Sequence, residues 1–163
     1  MVDVETLAGN RLLTTIPESE RERLAGELEL VSLGLKASLY RENEPIEYVY
    51  FPISGVLSLV SKMDDGRGIE VATIGDEGMV GLPVFLQATR TSAHTAFAQI
   101  PGQSLQMALR NVQRVHRQPA ERAAAHRPQP LHPGADVDDR TGGCLQRAAL
   151  RAAARLPVAT DNA

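Results

Sequence analysis

Residues 56–74 read VLSLVSKMDDGRGIEVATI. Two runs rich in aliphatic and β-branched residues, 56–63 and 69–73, flank Asp64-Asp65-Gly66. An Asp-Gly pair between such runs is a strong local signal for a tight hairpin, because it tolerates the positive φ values that match the twist of paired strands. The stretch therefore predicts two antiparallel strands. Leu57 and Leu59, with Val56 and Val60, form an apolar stripe expected in the core, since both faces of a strand in a closed sheet are buried.

Outward from this hairpin the same period of two recurs. Upstream, Val31, Leu33, Leu35, Ala37 and Leu39 alternate with Ser32, Gly34, Lys36 and Ser38. That is the pattern of a half-buried strand. Glu42-Asn43-Glu44-Pro45 breaks it, YVYF (48–51) resumes extended structure, and PISG (52–55) separates that run from the hairpin. Downstream, HTAFAQI (94–100) and SLQM (104–107) predict two more strands divided by Pro101-Gly102. Only the opening differs. Pro17 stands near a helix start with acidic residues behind it, and Leu24 and Leu28 share one helical face. Short strands with turns every 8 to 12 residues predict a sandwich, barrel or jelly roll.

Composition divides the chain near residue 110. Residues 1–110 hold 9 Lys/Arg against 15 Asp/Glu, whereas 111–163 hold 8 Arg against 5 Asp/Glu. Every aromatic, lysine, isoleucine and methionine lies in the first part. Overall charge is −3, which provides no global attraction to nucleic acid or anionic lipid. The single cysteine, Cys144, excludes a disulfide framework. Absence of a long apolar run, and of a basic and apolar leader in MVDVETLAGN, leads us to expect a cytoplasmic protein without membrane contact.

Three blocks in order, NRLLTTIPESERERLAGELELVSL (10–33), LYRENEPIEYVYFPISGVLSLV (39–60) and DGRGIEVATIGDEGMVGLPVFL (65–86), resemble the sensor domain of bacterial Crp/Fnr-type transcription regulators. The resemblance spans about residues 10–110. It implies a mainly β fold, a cyclic-nucleotide-binding-like β-roll (a double-stranded β-helix or jelly roll) with short flanking helices. It also implies a bacterial regulator whose roll, here residues 1–110, senses a signal. Intact members are homodimers that bind DNA through a helix-turn-helix following a long dimer helix.

Within the third block, GDEGMVG (75–81) raises the question of a phosphate cradle. Holding a cyclic phosphate requires main-chain N–H groups at a glycine-led turn, an arginine for the anion and an acceptor for the ribose hydroxyl. Relatives that bind cyclic nucleotides place the acid after the glycine and follow with an Arg-Ser/Thr-Ala stretch. Here Gly81 fits the glycine, and Leu82-Pro83 stand where the carboxylate belongs. Ser92-Ala93 fit the end of the second stretch, Thr91 takes the arginine's place, and Arg90 comes one residue early. Gly78, Gly81, Leu82, Arg90, Thr91, Ser92 and Ala93 are the candidate ligand-binding residues of a degenerate cassette. Its expected role is a structural turn with a short helix packed on the roll. The alternative is retained binding of a small anionic or nucleotide-like ligand, with Asp76 or Glu77 as acceptor. An acidic pair in that turn would also repel a phosphate.

Other chemistries find less support. A cupin-type metal enzyme of the same fold class needs two or three histidines and a carboxylate converging from strands, and residues 1–93 contain no histidine. His94 is expected to be a solvated or core residue, and Tyr48, Tyr50 and Phe51 core residues and not a stacking platform. No Ser-His-Asp order, G-x-S-x-G elbow or P-loop appears. The expectation is a non-enzyme without metal or cofactor; a stand-alone ligand-binding or interaction module is the competing class.

Residues 111–163 form an Ala/Arg/Pro-rich, low-complexity tail expected to be irregular, since Pro119, Pro128, Pro130 and Pro133 forbid the dimer helix and no helix-turn-helix pattern follows. Arg114, Arg117, Arg122 and Arg127 would give only weak, salt-sensitive contact with nucleic acid. The composition suits GC-rich coding DNA translated out of frame. Residues 145–162, back-translated with permitted codons and started one base later, yield CNALHSVQQRACRWLLTT, which resembles the junction between dimer helix and DNA-binding domain in the family. A frameshift near residues 108–122 is the expectation, with a divergent linker as the alternative.

Overall fold

The computed structural model describes residues 2–63, 66–86, 88–112 and 114. The expectations placed on residues 115–163, the prolines, the frame reading and three of the four arginines among them, lie outside the described residues.

Three short helices open the chain: α1 (Val4–Leu7), α2 (Arg11–Thr14) and α3 (Glu18–Ala25). Each start has a local cause. The Asp3 carboxylate accepts the Thr6 N–H at 2.6 Å, and Asn10 accepts those of Leu12 and Leu13. Pro17 precedes α3, whose first turn carries Glu18 and Glu20 beside the positive end of the helix dipole.

Seven strands follow: β1 (Glu29–Leu33), β2 (Ser38–Tyr40), β3 (Tyr48–Pro52), β4 (Val56–Lys62), β5 (Gly68–Ile74), β6 (Thr95–Ile100) and β7 (Gly102–Ala108). They form two antiparallel sheets, one ordered β1-β7-β3 and the other β2-β6-β4-β5. The helix α4 (Leu82–Phe85) sits between β5 and β6. This is the mainly β roll that the resemblance implies, one of the architectures the strand spacing allows. Among the described residues no helix is long and apolar enough to cross a membrane.

Two apolar clusters follow from the period-two pattern. The inner faces of both sheets enclose Tyr50, Leu57, Ile74, Ala96 and Ala98, with Val31, Leu33 and Leu59 packed against them. The outer face of the β1-β7-β3 sheet presents Val49, Phe51, Leu105 and Met107 to Leu7, Leu12, Leu13 and Leu24 of the helices and to Ile16 between α2 and α3. One strand thus feeds both cores by alternation: Val49 and Phe51 point outward, Tyr48 and Tyr50 inward.

Two expectations need correction. The alternating run 31–39 is not one strand. The chain turns at Lys36, where φ is +60°, leaving β7 as partner and joining β6. Hydrogen bonds from Lys36 N to Ala98 O and from Ala98 N to Ala37 O fix that corner. Alternation survives because Val31, Leu33, Ala37 and Leu39 all face the same interior, while Leu35, at the corner itself, is 64% exposed. Second, Leu28 shares the Leu24 cluster although α3 ends at Ala25, so burial and not helical periodicity unites them.

Past β7, residues 109–112 and 114 are helical. Val112 is fully buried in the helical core, and Asn111 and Arg114 reach Glu27, the latter as an ion pair at 3.1 Å.

Candidate functional site

The turn 75–81 is anchored from two sides. The buried Asn10 amide donates to Gly78 O at 3.0 Å and to Pro52 O at 2.8 Å, and Arg11 N donates to Asp76 O at 2.7 Å. From the sheet, Val80 and Tyr50 exchange main-chain hydrogen bonds of 2.8 and 2.9 Å. The Glu77 carboxylate accepts the Gly75 N–H at 3.0 Å and so closes its own turn.

Gly81 then enters the left-handed region with φ +95°, directly before α4. A Cβ there would lie 2.9 Å from Val49 Cγ1 and 3.2 Å from Val49 Cα. Conformation and close approach to β3 both require glycine. From this turn α4 sends Phe85 into the helical core, where its ring meets Phe51 edge-on at 6.5 Å, and Val84 into the roll interior. The helix bridges the two cores.

The second half of the cassette is laced to the loop after β2. Ile46 N donates to Arg90 O at 2.9 Å, Asn43 N donates to Ser92 O at 2.8 Å, and Pro45 forms an isolated bridge with Thr91. His94 N donates to Ser92 Oγ at 3.1 Å. These bonds hold residues 90–92 against the loop that follows β2. The Tyr40 phenol is 6% exposed, beside the Ser92 side chain and the Gly81 main chain. Burial pushes its pKa up to about 12, and the Ser92 and Gly81 contacts oppose the rise.

The seven candidates therefore separate. Gly81 and Ser92 are both buried. Gly78 is buried, and a Cβ there would lie 2.9 Å from Ile74 Cγ2, so its part is close packing. Leu82 packs on the helical core, Thr91 is half-buried, and Arg90 and Ala93 are exposed. Sequence reasoning missed Tyr40 and Asn10. An asparagine just before Arg11-Leu12-Leu13 is a helix-cap signal that could have found Asn10. Nothing local marks Tyr40, whose neighbours Gly81 and Ser92 lie 41 and 52 residues away.

Leu82 and Pro83 carry no side-chain acceptor, and Arg90 is exposed. Among the described residues no three His, Cys, Asp or Glu side chains assemble a metal site.

Several solved structures share this fold. The sensor domain of the transcriptional regulator DNR from Pseudomonas aeruginosa superposes with a TM-score of 0.59 at 20% identity, covering 74% of this chain and 81% of that one. The N-terminal domain of a transcriptional regulator from Streptomyces coelicolor gives 0.60 at 20% identity, with 92% and 88% covered. The regulatory subunit of a cAMP-independent protein kinase A from Trypanosoma brucei gives 0.61 at 17% identity; 77% of this chain covers 46% of that one. No curated protein sequence matches significantly. The cyclic nucleotide-binding domain model matches residues 30–118, more than half of the chain, and with the two-sheet roll and glycine-led cassette in place, the chain belongs to the cyclic nucleotide-binding domain family.

Proposed function

We propose that this chain is a sensor module of the Crp/Fnr regulator type, which acts by binding and conformation, without catalysis, metal or cofactor. The ligand class that the family suggests is small and nucleotide-like. The observation that carries the reading is the preserved turn with a changed chemistry. Gly81 keeps its left-handed geometry and α4 still joins the two cores, while Leu82-Pro83 supply apolar contact where an acceptor would be needed. The element thus keeps the mechanical link between roll and helices, and its affinity for a cyclic phosphate falls. Likeness to the Pseudomonas and Streptomyces regulator domains supports the role. That the Trypanosoma protein is the regulatory subunit of a cAMP-independent protein kinase A is in keeping with a fold that does not dictate its ligand.

A thermal-shift titration tests this. A ligand that binds only the native state adds RT ln(1 + [L]/Kd) of stability. With a Kd of about 1 mM or weaker, about 1 mM cyclic AMP or cyclic GMP adds no more than about 0.4 kcal/mol, hence at most about 3 °C. A shift well beyond that would show a competent cyclic-nucleotide site and sink the claim that the changed cassette has lost its affinity for a cyclic phosphate. The 163-residue polypeptide is also expected not to bind DNA sequence-specifically, because its Ala/Arg/Pro-rich final third offers no groove-reading pattern. A gel shift with tight, salt-resistant operator binding would contradict that.

A further inference from the structure

Leu105 and Met107 face the helices, so alternation turns Ser104 the other way, into the interior between the two sheets. There it stands in register with Pro52 and with Val31, which packs against the inner cluster. The residue is 1% exposed, and its hydroxyl has no hydrogen-bond partner. Among the described residues the other buried polar side chains, Asn10, Ser58 and Ser92, all take part in hydrogen bonds. We propose that the roll interior takes a small, uncharged, largely apolar ligand, and that Ser104 hydrogen-bonds its one polar group. The proposal rests on the sensor reading above and names the class of ligand sensed, held by the interior and not by the phosphate cassette.

Three observations support it. A buried hydroxyl without a partner is destabilising, so an orphan in the lining of an interior points to a group supplied from outside. The interior is also open to solvent. Leu59 lies on β4, between β5 and β6, and faces inward with Ala72 and Ala96 beside it. A side chain so placed in a closed core is buried, yet Leu59 is only half-buried, as are Val31, Leu33 and Leu39 around the same cluster. On β6 the inward residues Ala96 and Ala98 are small, so side chains project least there. Finally, the lining is hostile to charge. Ile46, Leu57, Ile74 and Val80 belong to it, burial raises the pKa of the Tyr40 and Tyr50 phenols, and no Asp, Glu, Lys or Arg is buried among the described residues. An anion would exchange its water for apolar contact at a loss. A neutral skeleton gains from the same contact, and one hydroxyl or carbonyl on it satisfies Ser104, which can donate or accept.

Equilibrium dialysis of the full chain tests the site with 1-naphthol, which is neutral and carries one hydroxyl, with naphthalene, which lacks it, and with the anion 1-naphthoate. Wild type is expected to bind 1-naphthol at least about tenfold more tightly than 1-naphthoate. Ser104→Ala should bind 1-naphthol at least about fivefold less tightly than wild type, while naphthalene binds both equally and Ser104→Thr, which keeps the hydroxyl, retains the affinity. Without probe, Ser104→Ala should melt no lower than wild type, because it removes an unpaired hydroxyl; a merely structural role would lower it. In the 15N spectrum 1-naphthol should shift Ala96, Ala98 and Ser104 and leave Leu13 and Val112 of the helical core in place. Should Ser104→Ala lose its cooperative unfolding transition, Ser104→Cys, close in shape with a weaker hydrogen-bonding group, takes its place in the same comparison. Absence of saturable 1-naphthol binding, equal or tighter binding of 1-naphthoate, unchanged affinity in the folded variant, or shifts confined to the helical core each overturns the proposal. The reading of the cassette fails separately: tight cyclic AMP binding by wild type removes the claim of a lost phosphate site, and failure with 1-naphthol leaves that claim standing.

Discussion

Replacement of Asn10 by alanine is expected to destabilise the domain by about 3 kcal/mol, although the residue touches no proposed ligand. The amide is fully buried and all its capacity is used: Oδ1 accepts Leu12 N and Leu13 N at 3.1 and 3.2 Å, and Nδ2 donates to Pro52 O and Gly78 O. Loss of a helix cap costs about 1 kcal/mol, and withdrawal of a donor from a buried carbonyl costs about 1 kcal/mol for each of the two carbonyls. For a domain of this size that sum lowers the melting temperature by roughly 12–24 °C and takes a large fraction of a total of about 5–15 kcal/mol. Thermal melts followed by circular dichroism, with urea titrations for free energy, measure it. Two further variants divide the effect. Asn10→Ser keeps a cap acceptor and should lose about 2 kcal/mol. Asn10→Asp keeps the cap but faces two carbonyl oxygens with a carboxylate, and should be worse than alanine. If Asn10→Ala lies within about 1 kcal/mol of wild type, the idea that one side chain pins the cassette to the roll is wrong.

Other perturbations bear on the same architecture. Gly81→Ala should cost about 2–4 kcal/mol in urea titrations, since it combines a left-handed backbone with a Cβ pressed against Val49. Phe85→Leu removes the edge-on contact with Phe51 and should cost about 1–2 kcal/mol in the same assay. Arg114→Ala should change stability by less than about 0.5 kcal/mol, because its ion pair with Glu27 is made by a side chain that is 55% exposed. For pH dependence, the folded pKa of Tyr40 is raised, so the unfolded chain loses that proton first. The stabilisation is complete below the ordinary tyrosine value near 10 and disappears as pH rises towards about 12. Urea midpoints measured across that window should fall, and Tyr40→Phe should flatten the decline, leaving the smaller contribution of Tyr50, whose pKa burial also raises.

Much of this was legible in the order of residues. Period-two alternation in VLSLVSK and GIEVATI, punctuated by Asp-Asp-Gly, specifies strands and a turn through local sterics alone, and β4 and β5 occupy that stretch. The glycine of the cassette was legible for a similar reason, since a φ of +95° is a property of one residue. The corner at Lys36 was not: 31–39 alternates without interruption, and only the availability of β7 on one side and β6 on the other divides it into two strands. Val112 likewise looks unremarkable among polar and basic neighbours, and is buried because the helices fold back over β7.

By itself, then, the chain's order of residues determined the β character, the places of the turns and the loss of an acceptor at Leu82-Pro83, because each depends on residues within a few positions of one another. Tertiary structure alone decided what pins the cassette. Asn10 meets Pro52 and Gly78 only once the helices pack on the roll, and hydrogen bonds between groups 42 and 68 residues apart leave no periodic trace along the chain.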